Sequence, residues 1–149
     1  MAAVLPDRIT TTLALTDAAR AKRVRERVGA EAYEAWGEGA DFLDAVFAAA
    51  PYLGRLAAQR RKTLARLAKT SPETVLADAC TAAREAGRLD DEAAAMAALR
   101  QAKADLHLTA ALADLAGAFS LEETVTAISD FADAAVKASL ESAVRLSGL

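Results

Sequence analysis

One cysteine, three prolines and seven glycines are all that this 149-residue chain holds of the residues that crosslink, kink or break a backbone. The lone Cys80 admits no internal disulfide and excludes a cysteine-rich metal site, and it fits a reducing cytoplasm. Aromatic residues make up 5%, too few for a sandwich or an aromatic-lined sheet. The longest apolar run lies near Ala45 to Leu53, far below the roughly 20 residues that a membrane helix needs. Met1 to Pro6 lacks the charged start and long apolar stretch of a signal peptide. No glycine-rich phosphate loop occurs, no Asp-x-Asp pair that would hold magnesium, and no catalytic serine motif. A formal net charge of −3 speaks against general nucleic-acid binding. These absences predict a cytoplasmic chain with neither a membrane nor a nucleic acid as partner, and with no catalytic, cofactor-binding or metal-binding residue of its own.

What the chain does contain is helix-forming material. Hydrophobic residues are 54% and charged residues 26%, and alanine, leucine, glutamate, arginine and lysine dominate, the residues that lose least on entering a helix. The length suits one domain with a core of its own. Start and stop signals divide it into helices. Met1 to Leu15 carries Thr10 to Thr12, β-branched residues that favour an extended arm or a short helix. Thr16 or Asp17 caps a helix over Ala18 to Val28, closed by Gly29; a short segment follows to Trp36. Asp41 is expected to cap the next helix, and Pro51 opens another turn. Tyr52 to Arg60 and Lys62 to Lys69 read as two short helices or one bent one. Ser71-Pro72-Glu73 begins a helix whose buried face is Val75, Leu76, Ala79 and Ala83, and Gly87 ends it. Asp90 or Asp91 caps a long helix to about Ala116, which Gly117 stops. Ser120-Leu121-Glu122-Glu123 is a capping box, and the last helix runs to about Leu146 with Val125, Ile128, Ala132, Ala135 and Val136 expected on its inner face. The expectation is all-α: a single-domain multi-helix bundle of about six or seven helices, with no sheet.

The long helix carries the most information. At about 100° per residue, Arg100, Lys103, His107 and Asp114 fall in one narrow stripe. Leu108, Leu112, Leu115 and Phe119 form a second stripe, and Leu99, Leu106 and Ala113 a third. A helix apolar on two sides is enclosed by neighbours. The polar stripe then meets solvent, an ion-pair network or a partner, because buried charge is costly unless paired. Each single feature also has a plain structural reading. His107 lacks converging partners and reads as structural or solvated; Cys80 reads as a buried inert thiol. Tyr33, Trp36 and Phe42 to Phe47 read as the anchor of a small subcore rather than a binding site. The basic run at Arg20 to Arg27 reads as a solvated helix face, and a second cluster of cations spans Arg60 to Lys69.

Leu99-Arg100-Gln101-Ala102-Lys103, Leu112-Ala113-Asp114-Leu115-Ala116-Gly117, Leu121 to Val125 and Phe131-Ala132-Asp133-Ala134-Ala135-Val136 together resemble the glutamine synthetase adenylyltransferase/deadenylylase family of bacteria. Phe42-Leu43, Ala50-Pro51-Tyr52-Leu53, Arg55-Leu56 and Ser71-Pro72-Glu73 look like the amino-terminal region of the same family, so the resemblance covers most of the chain. It is strongest from Leu99 to Val136 and loosest before Asp41. It implies a helical scaffold or regulatory segment, in nitrogen regulation, that precedes a nucleotidyltransferase domain. It also implies ATP and magnesium for the full-length parent, with the catalytic domain, glutamine synthetase and a PII signalling protein as partners. The family's glycine-rich loop and Ser-Asp-x-Asp metal site would follow Leu149, so no catalytic residue is carried over. Arg100, Lys103, His107 and Asp114 are then candidate interdomain or interface residues. The competing reading is a freestanding helical protein-interaction module.

Overall fold

In the computed structural model, which describes residues 2–148, eight α-helices and two short 3-10 turns follow one another, and no strand occurs among the described residues. The helices are α1 (Ala18–Val28), α2 (Ala30–Trp36), α3 (Ala40–Ala49), α4 (Pro51–Gln59), α5 (Arg61–Arg66), α6 (Pro72–Ala86), α7 (Glu92–Leu115) and α8 (Leu121–Leu146). The all-helical expectation holds. The chain is divided slightly more finely than expected, because a break at Arg60 (φ −119°, ψ 43°) makes α4 and α5 two separate helices.

Most ends follow local chemistry. Asp17 accepts from the Arg20 amide at 2.9 Å, and Ser71 from the Thr74 amide at 3.2 Å. Of the two candidates before α7, Asp91 is the cap, accepting from Ala93 and Ala94 at 3.3 Å each. The capping box at α8 is present in both directions, Glu123 N to Ser120 Oγ at 3.1 Å and Ser120 N to Glu123 Oε1 at 3.0 Å. The Ser120 amide, foremost, holds the Glu123 carboxyl below the usual carboxylate range. Asp41 does not cap. The α3 helix begins one residue earlier, after Gly39, and Asp41 stands in its first turn, where a carboxylate still favours the positive helix end.

Two groups of helices share one core. The first five surround Trp36, which stacks on Phe42 (centroids 6.3 Å apart, planes 8° apart) and donates from its indole to the Leu64 carbonyl at 2.7 Å. The aromatic cluster is therefore the subcore anchor, with Tyr33, Trp36, Phe42 and Phe47 all buried. The helices α6, α7 and α8 pack on one another, and the second half of α7 supplies Leu106, Leu108, Leu112 and Ala113 to the common core. The amino-terminal arm is both turn and extended chain. Leu5 is fully buried and Thr10 N donates to the Ala116 carbonyl at 2.8 Å, while Arg8 reaches Glu73 and the Ala118 carbonyl.

The inner face of α8 differs from the expectation. Phe131, Ala134, Ala138 and Ser142 are buried, whereas Val125, Ile128 and Val136 are 52%, 46% and 67% exposed, Ala132 is exposed, and Ala135 is half-buried. The reason is distance of approach. A Cβ placed on Gly87 would lie 2.7 Å from the Ala138 Cα and carbonyl oxygen, so the α6 end and α8 meet backbone to backbone. Only small side chains fit such a contact, and the alanine face of α8, not its large aliphatic face, turns inward.

Candidate interdomain interface

The four residues of the polar stripe all lie on α7, over about four turns of its outer face. Helix periodicity brings them to one side, because the opposite flanks are committed to the core through Ala102, Leu106, Thr109, Leu112 and Ala113. Arg100, Lys103 and Asp114 are exposed and His107 is half-buried. Arg100 and Lys103 make no ion pair and no side-chain hydrogen bond among the described residues. Asp114 is tied weakly to the start of α8, accepting from Thr124 Oγ1 at 3.4 Å. His107 Nδ1 lies 3.4 Å from Tyr52 Oη on α4. Partial burial, and then the positive charge of Lys103, hold the imidazole below its ordinary pKa, so it favours the neutral form.

A second cluster lies on the other side of α7 from the stripe. Asp105 takes a bidentate pair from Arg60, 2.7 and 2.8 Å, and a hydrogen bond from Thr63 Oγ1 at 2.7 Å. The carboxylate raises the Arg60 pKa, chiefly through its hydrogen bond. This network locks α5 and the break before it onto α7. No local pattern announces it, since its partners are 42 to 45 residues apart; the only sequence signal is a carboxylate one residue short of Leu106 on a largely apolar helix.

The remaining candidates are structural. In the first basic run Arg20 donates to the Ala48 carbonyl at 3.0 Å, and Arg25 pairs with Asp44 while its guanidinium lies 4.5 Å from the centre of the Tyr33 ring. In the second, Arg60 belongs to the Asp105 network and Arg66 pairs with Asp78. Both runs are thus partly tied to the fold rather than wholly solvated. Cys80 is half-buried rather than fully buried, since it lines the groove between α6 and α8; burial, foremost, pushes its thiol up, which keeps it protonated and unreactive. Among the described residues no three His, Cys, Asp or Glu side chains gather as a metal cage, and no helix is long and apolar enough to cross a membrane.

Comparison with known proteins supplies the context for this surface. Residues 41–147 match the family model of glutamate-ammonia ligase adenylyltransferase. The bifunctional glutamine synthetase adenylyltransferase/adenylyl-removing enzyme of Caulobacter vibrioides is 38% identical over 144 residues, covering 95% of this chain and 15% of that protein. Its counterpart in Mesorhizobium japonicum is 40% identical over 112 residues, 73% of this chain and 11% of that protein. The one in Brucella suis is 29% identical over 137 residues, 91% and 14%. The chain thus spans about a seventh of the length of these relatives or less. No solved structure matches.

Proposed function

We propose that this chain, which belongs to the glutamate-ammonia ligase adenylyltransferase family, is a helical scaffold segment of an enzyme that adds AMP to glutamine synthetase and removes it. In this reading the segment precedes a nucleotidyltransferase domain, and the face of α7 bearing Arg100, Lys103, His107 and Asp114 rests on that domain. ATP and magnesium chemistry belongs to the rest of the polypeptide. Glutamine synthetase is the substrate, as the relatives' name has it; a PII protein as regulator rests on the resemblance in sequence alone, and the cytoplasm as setting on the lone cysteine.

One observation carries the reading. Lys103 and Arg100 stand exposed and unpaired among the described residues, one and two turns before a half-buried histidine, on a helix whose second half is enclosed on its other flanks. Long cations without intrachain partners do not hold the segment together, so their loss leaves folding intact and falls on whatever they meet. The test is Arg100→Glu in the full-length polypeptide that carries this segment. Adenylylation of glutamine synthetase should fall roughly tenfold, the scale of reversing a charge at an interface, while the isolated 149-residue chain keeps its helical circular dichroism and melting temperature. Unchanged full-length activity removes the interdomain role, and loss of fold in the isolated chain makes Arg100 an internal strut.

A further inference from the structure

A different face is also without a partner. Leu121, Val125, Ile128, Val136, Leu140 and Val144 are 44% to 77% exposed and all lie on α8. They repeat at intervals of three, four and eight residues and so form a band that winds around α8, about 35 Å long at 1.5 Å per residue. Single exposed aliphatics are ordinary, but a continuous stripe of this kind marks an interaction surface. Its two edges differ. Toward α7 the stripe opens into a groove of about 400 Å³ in which Met96, Leu99, Ala143 and Leu146 alternate with Glu92 and Ser139. Toward α6 the edge is acidic: Glu122, Glu123 and Asp130 rim a groove of about 420 Å³ floored by Leu76, Cys80 and Phe119, and Asp133 stands one turn further on. Lys137 of α8, Arg84 of α6 and Arg8, which pairs with Glu73 and stands 5.6 Å from the centre of the Phe119 ring, are cations along this edge, and no ion pair among the described residues engages Glu122, Asp130 or Asp133.

We propose that the outer face of α8 is a docking surface for an amphipathic helix whose apolar stripe is bordered by lysine or arginine. The stripe and the α7-side groove take the apolar side chains, and the α6-side carboxylates take the cations. The same charges disfavour parallel pairing with a second copy of this chain, which brings together two amino-terminal halves that each carry Glu122, Glu123, Asp130 and Asp133.

The probe is a dye-labelled synthetic helix of roughly 20 residues with a leucine stripe edged by lysine, compared with the same peptide carrying glutamate at every lysine position. Fluorescence anisotropy with the 149-residue chain should show the lysine peptide binding at least about tenfold more tightly. Its affinity should fall as salt rises from about 50 to about 300 mM. Val136→Glu with Leu140→Glu should abolish binding without changing the helical signal, since both side chains are exposed, and Asp130→Lys with Asp133→Lys should shift the preference toward the glutamate peptide. Equal binding of the two peptides, or binding untouched by Val136→Glu with Leu140→Glu, overturns the proposal. So does a mass in light scattering that doubles with concentration while neither peptide binds, which assigns the face to a second copy.

Discussion

Replacing Gly87 by alanine sets local and tertiary physics against each other with opposite signs. Gly87 follows the last residue of α6 at φ −63°, ψ −16°, a helical conformation that alanine adopts freely. On backbone grounds alone Gly87→Ala should stabilise by about 0.4–1 kcal/mol, because alanine has less freedom to lose on folding. The structure reverses this. The new methyl would lie 2.7 Å from both the Cα and the carbonyl oxygen of Ala138 and 3.0 Å from its Cβ. The nearest atoms are main chain, so no rotamer change relieves the overlap, and α6 and α8 have to separate. Ala83, Ala86 and Ala134, all buried around this junction, lose contact as they do. Arg145, which donates to the Gly87 carbonyl and at 2.8 Å to the Leu89 carbonyl, is disturbed as well. Forced overpacking of this kind costs about 1–3 kcal/mol, which outweighs the gain. A net loss of about 1–2 kcal/mol corresponds to a melting temperature lower by roughly 2–8 °C for a domain of this size. Urea unfolding followed by circular dichroism measures it directly. Gly29→Ala is the contrasting case: Gly29 has φ +95° and ψ 153°, a region essentially open to glycine alone, with nothing within 4 Å of the added carbon, so its cost is conformational only, about 1–3 kcal/mol. Ala138→Gly should not rescue Gly87→Ala, because the clashing Cα and carbonyl remain. A Gly87→Ala protein as stable as the parent, or more stable, would refute the close contact and with it the account of why α8 turns its alanines inward.

Other outcomes follow from the network across α7 from the polar stripe and from the stripe itself. Asp105→Ala strips acceptors from Arg60 and Thr63 together and should cost about 1–3 kcal/mol. A double-mutant cycle with Arg60→Ala should return a coupling of at least about 0.5 kcal/mol, and zero coupling in urea titrations would mean that the pair only decorates the surface. His107 should titrate below 6.5 in an NMR titration of its ring protons. The folded state then binds this proton less readily than the unfolded chain. The stability at stake is fully present above pH 6.5 and is lost as pH falls through the folded-state value. His107→Gln should flatten that part of the stability profile, and an unchanged slope would place the titration elsewhere.

Fold class, most helix ends and the long polar stripe were legible without coordinates because they rest on interactions within a few residues of each other. Propensity, an Asp or Ser before a helix, a glycine after it and a periodicity of 3.6 act locally. Ser120 and Glu123 close their capping box whatever surrounds them, and α7 shows two apolar flanks because its second half is enclosed. The same locality explains the family resemblance, which rests on strings of neighbouring residues.

What spans the chain was decided by tertiary packing. Hydrophobicity ranked Val125, Ile128 and Val136 as the inner face of α8, yet residues two apart on a helix point roughly 160° apart, and the contact chose Ala134 over Val136. The choice belongs to Gly87, Ala83 and Ala86 on α6: a surface of small residues permits an approach that branched side chains would prevent, and no reading of α8 by itself contains that surface. Asp105 likewise looks like any carboxylate on a helix until Arg60 and Thr63 arrive from more than 40 residues away. Sequence by itself determined which segments are helices and where most of them begin and end. The folded structure decided which side of each faces the core, because that depends on the shape of the partner as well as on the polarity of the helix.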